Sequence, residues 1–236
     1  MDTEKDHIAL MFNDIAPTYD KLNHILSLNI DKIWRRKAVR CIGKSVSKCN
    51  MPKILDVACG TADSTVQIAK TIKNAVVHAI DISEGMLAIG QEKVKKMKLD
   101  DKISFYQSSA EHIVSQNDTY DAVIVAFGVR NFSDRVAGLE EIFRVMKPDG
   151  TLVVLELSVP RNKVLRGIYN LYFKNILPLI GKSVSGNAEA YRYLHDSVTA
   201  FPMPNKFIKT LKSCGFTEIR HQPLTFGLCR IYQAKK

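Results

Sequence analysis

Three short stretches of small and acidic residues stand where a predicted strand gives way to a turn. The first is the run Lys53–Asp63, K-I-L-D-V-A-C-G-T-A-D, in which an apolar strand ends in a bend with one glycine. The second begins with Asp81, at the end of a later strand, and the third is the segment Ser109–Glu111. Open α/β sheets bind ligands at the carboxyl ends of their strands, so these stretches predict one shared binding site.

The residue types in these stretches favour a nucleoside that also carries positive charge. A carboxylate at position 81 can accept hydrogen bonds from both hydroxyls of a ribose, although this acid could instead cap the next helix. The bend lacks the pattern G-x-G-x-x-G, which argues against the pyrophosphate of a dinucleotide and so against a dehydrogenase. An acid and a glycine together suit the ammonium and sulfonium groups of S-adenosylmethionine (SAM).

All three stretches contribute predicted cofactor contacts. A backbone N–H and a short polar side chain in the third stretch can meet the edge of an adenine. The full set of predicted contacts is Asp56, Gly60, Thr61, Asp81, Ile82, Met86, Ser109 and Ala110.

Strands that alternate with helices are predicted to position these residues. Five apolar strands lie between residues 53 and 157, and two more after residue 216 form a predicted antiparallel hairpin. This order predicts an α/β fold with a doubly wound, mostly parallel, seven-stranded Rossmann-like sheet. Ahead of the sheet, a helix over residues 3–15 is predicted to end at Pro17, because proline breaks a helix interior.

The 236 residues are predicted to form a single domain with four parts. Residues 1–50 form a helical N-terminal cap, although composition alone favours a plain packing element. Residues 51–157 form the cofactor-binding core, and residues 158–202 form a helical insertion that faces the substrate and the membrane. Residues 203–236 supply the last helix and the last strands.

Composition narrows the class of protein. The 34 basic and 24 acidic side chains give a net charge of +10, which favours nucleic acid or a membrane surface as a partner, or simply a well-solvated surface. No apolar run reaches the roughly 18 residues of a spanning helix, and the charged start M-D-T-E-K-D-H is unlike a signal peptide. The five cysteines contain no C-x-x-C pair, and the six histidines lack ligand spacing. These features predict an intracellular protein with reduced thiols and no metal site.

Longer blocks give the chain a family resemblance. The blocks L-D-V-A-C-G-T, D-I-S-E-G-M-L and R-V-M-K-P-D-G resemble the motifs of class I methyltransferases. More narrowly, F-G-V-R-N-F and E-A-Y-R-Y-L-H-D-S-V are similar to blocks of the quinone-biosynthesis C-methyltransferases, and the similarity extends from about residue 8 to the C-terminus. The resemblance implies SAM-dependent C-methylation of demethylmenaquinol to menaquinol. The polyprenyl-benzoquinol intermediate of ubiquinone synthesis is the alternative acceptor.

The resemblance also implies seven residues on the acceptor side. Four are predicted to be catalytic and three to bind the substrate: Arg130, Asn131, Tyr19 and Asp20, then Asn23, Tyr191 and Tyr193. A fixed guanidinium at position 130 would stabilise a quinol phenolate, whose ring carbon is the nucleophile. Asn131 would orient the ring oxygen, and Asp20 or Tyr19 would take a proton through water. From the residues alone, Arg130 could instead form a surface ion pair with Asp134, and the tyrosines could be core aromatics.

Two interpretations from other classes remain open. A nucleic-acid methyltransferase would carry N/D-P-P-Y/F after the fourth strand, where this chain has F-G-V-R-N-F, so no nucleic-acid partner is predicted. A non-catalytic SAM-binding protein would bind the nucleoside without turnover.

A long isoprenoid tail would place the acceptor in a bilayer. The apolar helix predicted at Ile168–Leu179, with basic neighbours, could lie on an anionic membrane surface or be buried in the protein. The predicted location is the cytoplasm, in peripheral association with the inner face of the cell membrane. A homodimer is left open as a further partner.

Overall fold

A seven-stranded sheet forms the centre of the molecule in the computed structural model, which describes residues 3–160, 162–171 and 188–236. The strands are β1 Lys53–Val57, β2 Val76–Asp81, β3 Ile103–Gln107, β4 Tyr120–Ala126, β5 Met146–Leu157, β6 Thr217–Leu224 and β7 Cys229–Lys235. Their order is β3-β2-β1-β4-β5-β7-β6, and β7 alone runs antiparallel to its neighbours. The predicted mostly parallel sheet with an antiparallel C-terminal hairpin is confirmed.

Two helices of the described ranges precede the sheet, three lie between its first five strands, and three follow β5. They are α1 Thr3–Leu26, α2 Ile30–Ser45, α3 Asp63–Thr71, α4 Glu84–Lys96, α5 Arg135–Val145, α6 Lys163–Leu171, α7 Ala188–Ala200 and α8 Pro204–Ser213. Residues 110–115, between β3 and β4, form turns rather than a helix. The helix predicted at Ile168–Leu179 starts earlier, at Lys163, and most of its predicted length lies outside the described residues.

Alternate residues of the central strands face opposite helical layers. Ile54 and Ile124 pack in one core with α2 and α3, whereas Leu55 and Val123 pack in the other with α5 and α8. Burying each such side chain contributes about 1.5–3 kcal/mol. Two apolar faces explain why these strands read as continuous apolar runs and why the sheet is covered on both sides. The division into four parts stays a prediction.

The first helix continues through Pro17, so the prediction of a break there is wrong. Proline removes one backbone donor from the helical hydrogen-bond ladder but does not remove the packing that holds a helix in place. One turn is tied by a side chain as well, because Thr18 Oγ1 donates to the carbonyl of Ile15 at 3.2 Å.

The packing that holds α1 comes from the start of α4. Asn13 Oδ1 accepts hydrogen bonds from Ser83 Oγ at 2.6 Å and from the backbone N–H of Gly85 at 2.9 Å. A Cβ on Gly85 would come within 3.3 Å of the Asn13 Cα, so the two helices approach closely at this point. As a result α1 lies across the carboxyl ends of the strands.

Candidate active site

The bend after β1 is built from residues with left-handed backbone. Ala58, Gly60 and Ala62 have φ values of 54°, 55° and 69°. The N–H of Gly60 donates to Asp81 Oδ2 at 2.8 Å, which joins the bend to the end of β2. A Cβ on Gly60 would meet nothing within 4 Å, so the space beside the bend is open to a ligand.

Asp81 is held in place by backbone donors. Besides Gly60, the N–H of Ser83 donates to its Oδ1 at 2.9 Å. Burial raises the pKa of this carboxyl, and the backbone N–H groups of Ser83, Gly60 and Ile82 oppose that rise. A carboxylate has about four acceptor positions, so acceptor capacity remains for the hydroxyls of a ribose. Ser83, rather than Asp81, caps α4.

A cleft surrounds these groups. Six of the eight predicted cofactor contacts line it: Gly60, Thr61, Asp81, Ile82, Met86 and Ala110. Ser108 and Glu111 line the cleft on either side of the predicted Ser109, which does not. An open bend and a fixed diol acceptor in one cleft fit a nucleoside cofactor such as SAM.

Asp56 lies beneath the cleft rather than in its wall. Its side chain is fully buried, and Oδ2 accepts a hydrogen bond from Thr65 Oγ1 at 2.6 Å. Oδ1 has no hydrogen-bond partner among the described residues. Burial raises the pKa of this carboxyl to about 7. Its role as a cofactor contact stays a prediction.

The first helix supplies a wall of the cleft that sequence analysis missed. Ile8 and Phe12 of α1 line the cleft together with residues of the bend. Their amphipathic spacing shows that α1 buries one face but does not reveal which surface that face covers.

A second and larger cavity lies next to the cleft. The two cavities share Tyr19, Arg35 and Phe127 as lining residues. The rest of the second cavity is mostly apolar, with walls from α1, α2, α6 and the turn between β6 and β7. Among its lining residues are Asn23, Leu26, Trp34, Leu157, Tyr169 and Phe226. A bulky apolar acceptor therefore has room beside the cleft.

Arg130 is a buried cation in the wall of this apolar cavity. Its Nη1 donates to Glu156 Oε1 at 2.6 Å and to the carbonyl of Phe127 at 2.5 Å. Burial disfavours its charge, but the carboxylate of Glu156, together with Tyr19 and Tyr193, raises the pKa of Arg130 above its ordinary value. The alternative surface pair does not form, because Asp134 accepts the first backbone N–H groups of α5.

Glu156 is the functional residue that sequence analysis overlooked. It is fully buried, and its carboxylate also accepts the backbone N–H of Arg130 at 3.2 Å. A signal was present, since a lone acid interrupts the apolar strand T-L-V-V-L-E-L. Buried acids of this kind are paired as a rule.

Asn131 of the cofactor cleft is joined to Tyr193 of α7. Tyr193 donates from its hydroxyl to Asn131 Oδ1 at 3.1 Å, and Asn131 lines the cofactor cleft. A smaller space between α1 and α7 is lined by Tyr19, Asn23, Arg130 and Tyr193. Burial raises the pKa of Tyr19, and the charge of Arg130 partly opposes this. The side chain of Tyr191 lies outside the described residues.

Asp20 belongs to the bend rather than to the acceptor cavity. Thr61 Oγ1 donates to its carboxylate, and Lys93 Nζ lies 2.8 Å from its Oδ2. The same lysine lies 2.6 Å from Asp63 Oδ1. Asp20 therefore joins α1 to α4 and to the start of α3, and its predicted role as a base stays a prediction.

Three possible metal ligands that are distant in sequence meet near this network. Side-chain atoms of His24, Asp31 and Asp63 all lie within 4.8 Å of one another. The spacing of the histidines in the sequence does not predict this cluster. Both carboxylates already face protein cations, because Lys93 contacts Asp63 and Arg35 lies 3.8 Å from Asp31. This cluster is accounted for as an ion-pair network.

The sheet order, the bend and the fixed strand-end acid are together typical of the Rossmann-like methyltransferase fold. The chain belongs to the ubiE/COQ5 methyltransferase family, whose model matches residues 1–236. Family membership confirms the resemblance to the quinone-biosynthesis methyltransferases and the prediction of a SAM-dependent enzyme.

Relatives with assigned names match nearly the whole chain. A protein of Geobacter sulfurreducens named ubiquinone/menaquinone biosynthesis C-methyltransferase UbiE is 43% identical over 236 residues, which is 99% of this chain and 90% of the relative. A demethylmenaquinone methyltransferase of Bacteroides fragilis is 39% identical over 99% of this chain and 94% of its own length. A second demethylmenaquinone methyltransferase, from Chlorobaculum parvum, is 41% identical over 98% of this chain and 93% of its own length.

Solved structures share the fold at low sequence identity. A SAM-dependent methyltransferase from Aquifex aeolicus superposes with a TM-score of 0.57 and 20% identity over 78% of this chain and 81% of that one. The [4+2]-cyclase SpnF superposes with a TM-score of 0.70 and 15% identity over 98% of this chain and 96% of that one. Because a cyclase has this fold, the fold alone does not assign methyl transfer.

Proposed function

We propose that this chain transfers the methyl group of SAM to a ring carbon of demethylmenaquinol and so makes menaquinol. The observation that carries the proposal is the junction of the two cavities, where a cleft with a diol acceptor meets an apolar chamber at Tyr19, Arg35 and Phe127. The names of the relatives from Bacteroides fragilis and Chlorobaculum parvum support the same acceptor.

The cofactor side is assigned to the bend and the strand end. Asp81 would accept the ribose hydroxyls, and the open backbone at Gly60 would let the amino-acid part of SAM approach closely. Ala110, with its neighbours Ser108 and Glu111, would border the adenine. When bound, SAM supplies an electrophilic methyl group on a sulfonium.

The acceptor side is assigned to the apolar cavity. Arg130 Nε is buried without a hydrogen-bond partner among the described residues, whereas Nη1 is committed to Glu156. A guanidinium held in this way would stabilise the phenolate of the quinol, which directs electron density to the ring carbon. Asn131, oriented by Tyr193, would fix a ring oxygen so that carbon, methyl and sulfur are aligned.

Proton removal is the step with the fewest assigned groups. The pKa of Tyr19 is raised by burial, so its hydroxyl remains protonated at neutral pH and acts as a donor. Asp20 is engaged by Thr61 and Lys93. We propose that water at the junction accepts the phenolic proton and later the ring proton, with Arg130 lowering the pKa of the bound quinol electrostatically.

The test is an incubation with methyl-labelled SAM and a panel of reduced, short-tailed acceptors. Label on a ring carbon of the naphthoquinol supports the proposal, and label only on a polyprenyl benzoquinol favours the ubiquinone-pathway acceptor. Cofactor binding without label transfer to any quinol would instead support the non-catalytic SAM-binding protein.

The proposal includes peripheral association with the anionic inner face of the cell membrane. The net charge of +10 supports it. Among the described residues, no helix has the length and apolarity needed to span a bilayer. A homodimer stays a prediction, and sedimentation analysis would test it.

A further inference from the structure

Two exposed apolar side chains stand at the mouth of the acceptor cavity. Leu28, between α1 and α2, is 79% exposed, and Phe226, between β6 and β7, is 81% exposed. Both line the apolar cavity. We call these two side chains the apolar rim. Such exposure of large apolar groups around an apolar opening is typical of an interaction surface.

The backbone at both positions adopts a conformation that these residue types disfavour. Leu28 has a φ of 51° and Phe226 a φ of 56°, which is the left-handed region preferred by glycine and asparagine. Neither side chain gains burial within the described chain in return. A turn that holds an exposed leucine or phenylalanine in this way is better explained by a contact outside the chain.

Buried polar contacts hold the turn between α1 and α2, which carries Leu28. Asp31 accepts Ser27 Oγ at 2.6 Å, and its other oxygen lies 2.9 Å from His24 Nδ1. Asp31 is only 4% exposed. The segment that carries Leu28 is therefore fixed to the start of α2.

The second turn is fixed in the same manner. Trp34 Nε1 of α2 donates to Thr225 Oγ1 at 2.8 Å, next to Phe226. Ser158 Oγ donates to the carbonyl of Gly227 at 2.6 Å. Trp34 thus ties the turn that carries Phe226 to α2, the helix that follows the turn with Leu28.

Basic side chains without acidic partners adjoin the rim. Lys32, Arg36 and Lys37 are exposed in the first two turns of α2, and Arg40 and Lys44 follow towards its far end. The only acid of α2 is the buried Asp31. Near the other wall, Lys163 and Arg166 are exposed on α6, which contributes Leu165 and Tyr169 to the cavity. Within the described ranges these cations form no ion pair. An apolar tip bordered by unpaired cations complements a bilayer with anionic headgroups.

We propose that the apolar rim inserts into an anionic lipid bilayer while the first turns of α2 lie on the headgroups. The mouth of the acceptor cavity then opens into the bilayer, and an isoprenoid tail leaves between Leu28 and Phe226 without crossing water. This proposal rests on the proposed function for its lipid acceptor. It places the contact at the two turns rather than along the helix predicted at residues 168–179.

The test measures flotation of the full chain with phosphatidylcholine vesicles, with and without phosphatidylglycerol, in the absence of cofactor and quinol. We expect flotation with the anionic vesicles and its loss at high salt, because salt screens the headgroup charge. In Leu28→Asn/Phe226→Asn, the vesicle affinity should fall about tenfold or more. Asparagine suits a positive φ, so this variant should fold. Circular dichroism checks the fold.

Matched control variants show whether a change in flotation comes from the apolar rim or from any exposed apolar or basic residue. Val114→Asn alters an 80% exposed apolar residue that lines neither cavity and should leave flotation unchanged. Lys32→Gln/Arg36→Gln should weaken flotation. Lys209→Gln/Lys212→Gln, on α8 across the sheet from α2, should not.

The depth to which the apolar rim inserts into the bilayer is measured with introduced tryptophans and brominated lipids. Leu28→Trp should be quenched by bromines near the top of the acyl chains, whereas Val114→Trp should not. Equal flotation of the rim variant and the wild type, or equal quenching at both positions, would overturn the proposal. So would absence of vesicle binding together with rim-dependent self-association on sedimentation. Because no turnover is measured, failure here is distinct from failure of label transfer in the quinol assay.

Discussion

Glu156 makes Arg130 a fixed cation in an otherwise apolar wall. The guanidinium has a 6% exposed side chain and a partner at 2.6 Å, so its position does not depend on bound substrate. A charge that is already oriented stabilises a developing phenolate without reorganisation. The pair also explains why a buried acid lies near the C-terminal end of β5.

Arg130→Ala should separate binding from chemistry. We expect the affinity for S-adenosylhomocysteine to stay within about twofold, while turnover falls by about 10²–10³, the usual cost of removing one electrostatic stabiliser. Calorimetry and the labelled-methyl assay measure the two quantities. Arg135→Ala, which removes a half-buried arginine stacked on Phe201, is the control. Equal loss of affinity and turnover would make Arg130 a structural residue.

Asp56 should make stability depend on pH. Its pKa is raised to about 7 in the folded chain from an ordinary value of 3.8. The folded state therefore keeps a proton that the unfolded state releases, so stability is full below about pH 4 and falls as pH rises to about 7. The loss is at most about 1.4 kcal/mol per pH unit.

Asp56→Asn should remove that slope. Urea unfolding at pH 5 and pH 8 measures it, and the variant should gain stability relative to the wild type at the higher pH. Asp101→Asn, at an exposed site, should keep the wild-type slope. The same slope in Asp56→Asn would show that another group is responsible.

At the scale of elements, α1 is the part that completes the cofactor cleft. It reaches the carboxyl edge of the sheet through Asn13, and its residues Ile8 and Phe12 line the cleft. The helix is held mainly by α4, which begins directly after the acid that would bind the ribose. Cofactor affinity and α1 docking should therefore be coupled.

Asn13→Ala tests this coupling. The change removes an acceptor for two donors and should weaken α1 docking by about 1–3 kcal/mol. Hydrogen exchange in α1 should become faster, and SAM affinity should fall. Asp14→Ala, one residue further on the exposed side, is the matched control. Unchanged exchange in Asn13→Ala would show that other contacts hold the helix.

The sequence allowed prediction where the determining interactions are local. Strand positions followed from apolar runs bounded by turn residues, and the end of β2 at Asp81 was placed correctly. The break at Pro17 was wrong because packing against α4 outweighed one lost backbone hydrogen bond. Glu156 was missed because its partner lies 26 residues away in the chain. The same holds for the position of α1, since Asn13 meets Gly85 across 72 residues.

At the scale of the whole molecule, the fold brings two unlike chambers to one edge of the sheet. The bend and Asp81 suit a polar, charged nucleoside, whereas α2, α6 and the β6–β7 turn enclose an apolar space. Tyr19, Arg35 and Phe127 lie where the chambers meet, and Arg130 lies in the wall of the apolar one. In the proposed function, this separation would let a water-soluble cofactor and a lipid acceptor reach one reaction centre from different sides.

The most direct test of the account is calorimetric titration of the full chain with SAM and with S-adenosylhomocysteine. The account predicts one site per chain, and in Asp81→Asn an affinity lower by about 30-fold or more, because a fixed carboxylate no longer meets the ribose hydroxyls. Asp101→Asn should bind like the wild type. No binding by well-folded wild-type protein, or full affinity in Asp81→Asn, would contradict it.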